Sequence, residues 1–93
     1  MFRWKPEATD AAKGAAADAL TALGQQVPTV REYRFGTDAG LADGNWDFVV
    51  VADFDDEAGY LTYRDHPDHR ALVADVLQPL IAERAGVQYR LDG

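Results

Sequence analysis

Trp46-Asp47-Phe48-Val49-Val50-Val51-Ala52-Asp53-Phe54 is the stretch whose reading decides the fold. Side chains alternate between the two faces of a strand, so Phe48, Val50, Ala52 and Phe54 share one face while Val49 and Val51 share the other. Both faces are apolar. A strand of that kind is covered on both sides. Just before it, Gly36 to Asn45 carries Gly36, Gly40 and Gly44 among acidic and amide residues, which reads as a loop long enough to reach a neighbour or cover a pocket.

Upstream of that loop, Val30 to Phe35 alternates again and reads as an edge strand, with Arg31, Tyr33 and Phe35 on one side and Val30, Glu32 and Arg34 on the other. Before it, Thr9 or Asp10 caps a helix expected to run to about Leu23. Its apolar stripe is Ala12, Ala16, Ala19, Leu20 and Leu23, and Gly24 is the expected terminator. The chain opens on Phe2-Arg3-Trp4-Lys5, a short strand ended by Pro6.

Downstream, Asp55 or Asp56 starts a helix bearing Tyr60 and Tyr63 one turn apart. Pro67 disfavours the helical conformation at His66 and suits a first helical turn itself, so one helix stops and another starts there. At such a corner Tyr63 and His69 can point into a shared space. Leu72, Val73, Val76, Leu77 and Leu80 make a wide apolar face, the helix is expected to end or bend near Pro79, and Val87 to Leu91 alternates as a closing strand.

The order β-α-β-β-α-β predicts an α+β fold of the ferredoxin-like class, a four-stranded antiparallel sheet with both helices on one face, in a single domain over residues 1–93. The opposite face is left bare. Because Val49 and Val51 make it partly apolar, we expect homodimerisation through the open sheet face.

Composition narrows the partners. Nine Lys and Arg stand against 16 Asp and Glu, a net charge of −7 with no basic cluster, so neither nucleic acid nor a membrane surface is an expected partner. There is no cysteine, hence no disulfide and no thiolate nucleophile. The first residues lack the apolar run of a secretory signal and no segment is apolar for the roughly 18 residues a membrane span needs, so a cytoplasmic location is expected. The acidic run Asp53 to Glu57 reads as a helix start, and His66 with His69 has no third ligand placed by the sequence; no metal and no cofactor are expected.

The run Phe2-Arg3-Trp4-Lys5-Pro6, the segment Asn45-Trp46-Asp47 leading into Val49 to Phe54, and the pattern Tyr-x-x-His-Pro-x-His over Tyr63 to His69 resemble the stress-responsive A/B barrel family. That resemblance spans nearly the whole chain and implies a dimeric α+β barrel. Within the family it points to a plant polyketide cyclase that closes a linear chain by aldol condensation without a cofactor. The implied roles are His69 as general base and Tyr63 as the hydrogen-bond donor to a carbonyl or enolate, chemistry a neutral imidazole and a phenol can perform.

Two positions depart from that pattern. The histidine the family carries in its first strand is absent, so a native chain beginning a few residues earlier is one expectation, and Phe48 stands where the cyclase has a histidine. The expected pocket is therefore apolar, with Trp46, Phe48, Tyr60 and His66 as ligand-binding residues beside Tyr63 and His69, for an apolar or aromatic small molecule. His66 alone is more readily a residue that satisfies the backbone at the helix break. Besides a cofactor-free cyclase, lyase or isomerase, two readings stand open: a non-enzymatic stress or interaction protein with a filled cavity, and a cofactor-independent monooxygenase.

Overall fold

The computed structural model describes residues 1–91. It contains strands β1 (Phe2–Trp4), β2 (Glu32–Thr37), β3 (Phe48–Asp53) and β4 (Ile81–Arg84), and helices α1 (Asp10–Gln26), α2 (Glu57–Asp65) and α3 (Pro67–Leu72). The strands form one antiparallel sheet in the order β2-β3-β1-β4, the ferredoxin-like arrangement, with β2 at an edge as its alternation predicts. Among the described residues, no helix is long and apolar enough to cross a membrane.

Local chemistry sets each helix. Thr9 Oγ1 accepts the Ala12 N–H at 3.1 Å to start α1, and Asp56 Oδ1 accepts the Gly59 N–H at 2.8 Å to start α2. Thr29 then fastens α2 to the loop before β2, its hydroxyl donating to the Gly59 carbonyl at 2.8 Å. After α3 the backbone widens into a π-helical turn over Val73–Leu77, where the Gln78 N–H reaches the Val73 carbonyl at 2.9 Å. Pro79 follows at once, and the helix ends near it as its missing donor requires.

The core lies between the helices and one sheet face. Ala16, Leu20 and Leu23 of α1, Val27, Phe48, Leu72 and Leu77 are its buried members. The β2–β3 register pairs Tyr33 with Ala52 and Phe35 with Val50, so these face the helices with Phe48. Glu32 opposite Asp53, Arg34 opposite Val51 and Gly36 opposite Val49 face the other way. Among the described residues no helix covers that second face, and Val49 remains 40% exposed on it. It is less greasy than the strand pattern suggests, because Arg34 pairs with Glu32 and with Asp53 at 3.6 Å, while Arg3 pairs with Glu83 at 3.4 Å. Val49 and Val51 form an apolar strip between those charges.

Two expectations are corrected. The closing strand is Ile81–Arg84, not Val87 to Leu91, which is irregular with Val87, Tyr89 and Leu91 each more than 70% exposed. The reason is β1: three residues long and closed by Pro6, it offers a matching partner only to the residues that follow the Pro79 turn, where the Lys5 N–H takes the Leu80 carbonyl at 2.7 Å. Gly24 likewise does not end α1, which runs on to Gln26. It makes room for Tyr33: a Cβ built on Gly24 would sit 2.8 Å from Tyr33 Cδ2.

That contact decides the sign of a substitution. Alanine is the better helix former by about 1 kcal/mol, whereas overpacking against a ring held from several sides costs about 1–3 kcal/mol. Gly24→Ala is expected to lower the urea midpoint, by a net equivalent of up to ~2 kcal/mol, without changing the slope; a midpoint above wild type would show that the ring is free to move aside.

Candidate functional site

Tyr63 lies on the last turns of α2 and His69 on the first turn of α3. The bend between them belongs to His66, whose extended backbone (φ −60°, ψ 134°) ends one helix and whose Nδ1 accepts the Asp68 N–H at 3.1 Å to cap the next. The bend brings the Tyr63 and His69 rings to a centroid separation of 4.3 Å at 44°. On the other side of Tyr63 is Tyr33 of β2, with 2.8 Å between the two phenolic oxygens. One hydrogen joins the pair, so the other phenolic hydrogen is free for a further acceptor.

The imidazole is held in one tautomer. His69 Nδ1 lies 3.0 Å from the Arg64 carbonyl, which can only accept, so Nδ1 carries the hydrogen and Nε2 of the neutral ring keeps its lone pair. Partial burial pushes the His69 pKa below the usual histidine value; the bond to the Arg64 carbonyl opposes this, and the charges of Arg84 and His66 add to it. Burial also raises both phenols, Tyr33 strongly, with its bond to Tyr63 adding to the effect, so both are protonated at neutral pH. The corner thus presents a base lone pair and a phenol donor side by side.

Of the other expected residues, Tyr60 joins this group through Phe54, whose ring lies 5.7 Å from Tyr60 and 5.3 Å from Tyr63. His66 lends its ring to the backbone. Trp46 and Phe48 are elsewhere. Trp46 lies under the Arg3 guanidinium at 4.6 Å, in a cleft of about 340 Å³ that it shares with Met1, Asn45 and Val49. Phe48 is buried in a row of rings, stacked on Phe2 at 6.2 Å and Phe35 at 6.0 Å and tilted on Trp4 at 5.4 Å. The row continues from Phe35 to Tyr33 at 6.3 Å, so rings occupy the path from Phe48 to Tyr63.

Tyr33 was not singled out by the sequence. Its signal was present in the alternation that puts it beside Phe35, and in the glycine at position 24 that leaves space for its ring.

The family described as the Stress responsive A/B Barrel Domain matches residues 1–90. The chain belongs to that family. Among solved structures, a dimeric ferredoxin-like protein of unknown function from Thermobifida fusca YX is 45% identical, with a TM-score of 0.89 over 98% of this chain and 85% of that one. A Dabb family protein from Mesorhizobium loti MAFF303099 shares the ferredoxin-like fold at 22% identity, TM-score 0.75, over 88% of this chain and 81% of its own. A dimeric ferredoxin-like protein of unknown function from Bacteroides fragilis NCTC 9343, also 22% identical, covers 97% of this chain and 89% of itself with a TM-score of 0.76. Nothing among curated proteins matches the chain. In this A/B barrel domain the Tyr63 to His69 corner is joined by a second phenol, Tyr33 of β2.

The lowered pKa of His69 predicts a pH effect of definite sign. The unfolded chain binds the proton first, so the stabilising contribution is fully present above about 6.5 and is lost as the pH falls from there toward the folded value. Urea unfolding between pH 7.5 and 5 should therefore show wild type losing more stability than His69→Gln; parallel profiles would place the ring in open solvent.

Proposed function

We propose that the protein is a homodimeric A/B barrel that binds an apolar or aromatic small molecule, with His69, Tyr63 and Tyr33 as its reactive corner. The chemistry this corner suits is proton abstraction beside a carbonyl, the step common to cyclases, lyases and isomerases. His69 Nε2 takes the proton, and the free phenolic hydrogen of the tyrosine pair stabilises the enolate oxygen. The observation that carries this reading is the Arg64 carbonyl on Nδ1: it orients the ring and leaves the basic nitrogen uncommitted. The 45% identical Thermobifida fusca protein is described as dimeric, and the bare strip of Val49 and Val51 supplies a face on which two copies of this chain can meet.

A second reading is favoured by one observation, the unbroken row of rings from Phe48 through Phe35 to Tyr33. An interior closed by its own side chains suits a non-enzymatic interaction protein.

One experiment separates the two. Exchange of the methyl hydrogens of acetophenone for solvent deuterium, followed by proton NMR at pH 7, should be faster with the protein than with imidazole at equal concentration. The excess should fall by about 100-fold in His69→Gln and more modestly in Tyr63→Phe, in line with the usual contribution of a general base. No excess in wild type, or an excess untouched by His69→Gln, would favour the closed interior.

A further inference from the structure

The residues after β4 add to the face that carries no helix, and the sheet register shows how. Arg84 is opposite Phe2, and Phe2 stacks on Phe48 in the helix-side row of rings, so Arg84 points to the helix side. A Cβ on Gly86 would lie 3.8 Å from the ends of both the Arg84 and the Gln88 side chains, which puts Gln88 on that side too. Arg90 does the same, its guanidinium pairing with Glu57 at the start of α2. In an extended chain the residues between them point the other way. Val87, Tyr89 and Leu91, exposed by 79%, 74% and 73%, therefore stand on the bare face with Val49 and Val51. Met1 links the two groups: its carbonyl accepts the Ala85 N–H at 2.9 Å, and it lines one cleft with Val49.

Two features fit this face to a second copy of the chain. The first is charge. Arg3 is paired with Glu83, and Arg34 with Glu32 and Asp53, so the margins are satisfied within one chain and the surface left over is apolar. Two chains of net charge −7 repel each other except through a neutral patch of this kind. The second is area. A stable pair buries about 800 Å² on each partner. The partly buried Val49 and Val51 supply a small part of that, whereas one tyrosine buries about 150–250 Å². Within one chain the valines and the segment after β4 lie on the same face and cannot cover each other. A two-fold axis in the plane between two such faces lays each on the other.

We propose that Val87, Tyr89 and Leu91 of one copy pack on the Val49 and Val51 strip of the other. This contact presupposes the homodimer of the proposed function and gives it a second set of residues.

The test measures the dimer dissociation constant of the full chain by analytical ultracentrifugation. Val87→Asp combined with Tyr89→Asp alters side chains that are mostly exposed in one chain, so the urea midpoint of the dissociated protein should stay at the wild-type value while the dissociation constant rises at least tenfold. Gln88→Asp, on the helix side, should leave the dissociation constant unchanged. Because the chain has no cysteine, single thiols report the contact directly. Val51→Cys mixed with Tyr89→Cys and oxidised should give a disulfide-linked pair containing one of each by mass spectrometry, and Gln88→Cys in place of Tyr89→Cys should give at least tenfold less. A wild type that stays a single chain overturns the homodimer and this contact with it. A wild-type dimer whose affinity is the same in the Val87 and Tyr89 variant, or whose Val51→Cys links equally well to position 88, overturns this contact and leaves the homodimer standing.

Discussion

A four-stranded sheet that carries all its helices on one side must solve two different problems on its two faces. On the helix side the solution is a line of rings. Trp4 and Phe2 meet Phe48, Phe48 meets Phe35, Phe35 meets Tyr33, and Tyr33 reaches Tyr63, so the sheet is tied ring by ring to the corner between α2 and α3. Large planar side chains bury much area for few lost rotamers, which suits a chain whose first helix buries only Ala16, Leu20 and Leu23. On the bare side the solution is mixed: ion pairs satisfy the margins, and two valines lie between them.

The polar groups at the end of the ring line follow from the same geometry. A tyrosine at the margin of a core keeps its hydroxyl only if something accepts or donates to it, and Tyr33 and Tyr63 do this for each other. His69 completes the cluster because Pro67 forces the break that folds its ring back onto Tyr63. His66 is consumed in making that break. The two histidines, three residues apart, thus have unlike tasks: one ring holds the backbone, the other holds a lone pair in reserve.

Much of this was legible in the chain itself. Period-two alternation located β1, β2 and β3, capping residues located the helix starts, and Pro67 located the corner, since each of these signals acts over a few residues. What the sequence concealed was non-local. Val87 to Leu91 has the better strand pattern, but β4 goes to Ile81–Arg84 because a short first strand sets where its partner must begin. Gly24 resembles a helix terminator until the Tyr33 ring, nine residues on, is seen to need its missing side chain. Trp46 and Phe48 looked like lining for the Tyr63 pocket, yet β3 runs from their end of the sheet to the other, with Phe35 and Tyr33 occupying the distance between. Tyr33 itself carried no motif.

The ring line explains the helix side of the sheet by this chain alone; the proposed function gives the bare side to a second copy. Sedimentation equilibrium at micromolar concentration, run on wild type and on Val49→Asp with Val51→Asp, tests that division most directly. The wild-type mass should be twice that of one chain, and the double variant should be folded with a single-chain mass. A wild-type mass equal to one chain, or a double variant that still pairs, would contradict it.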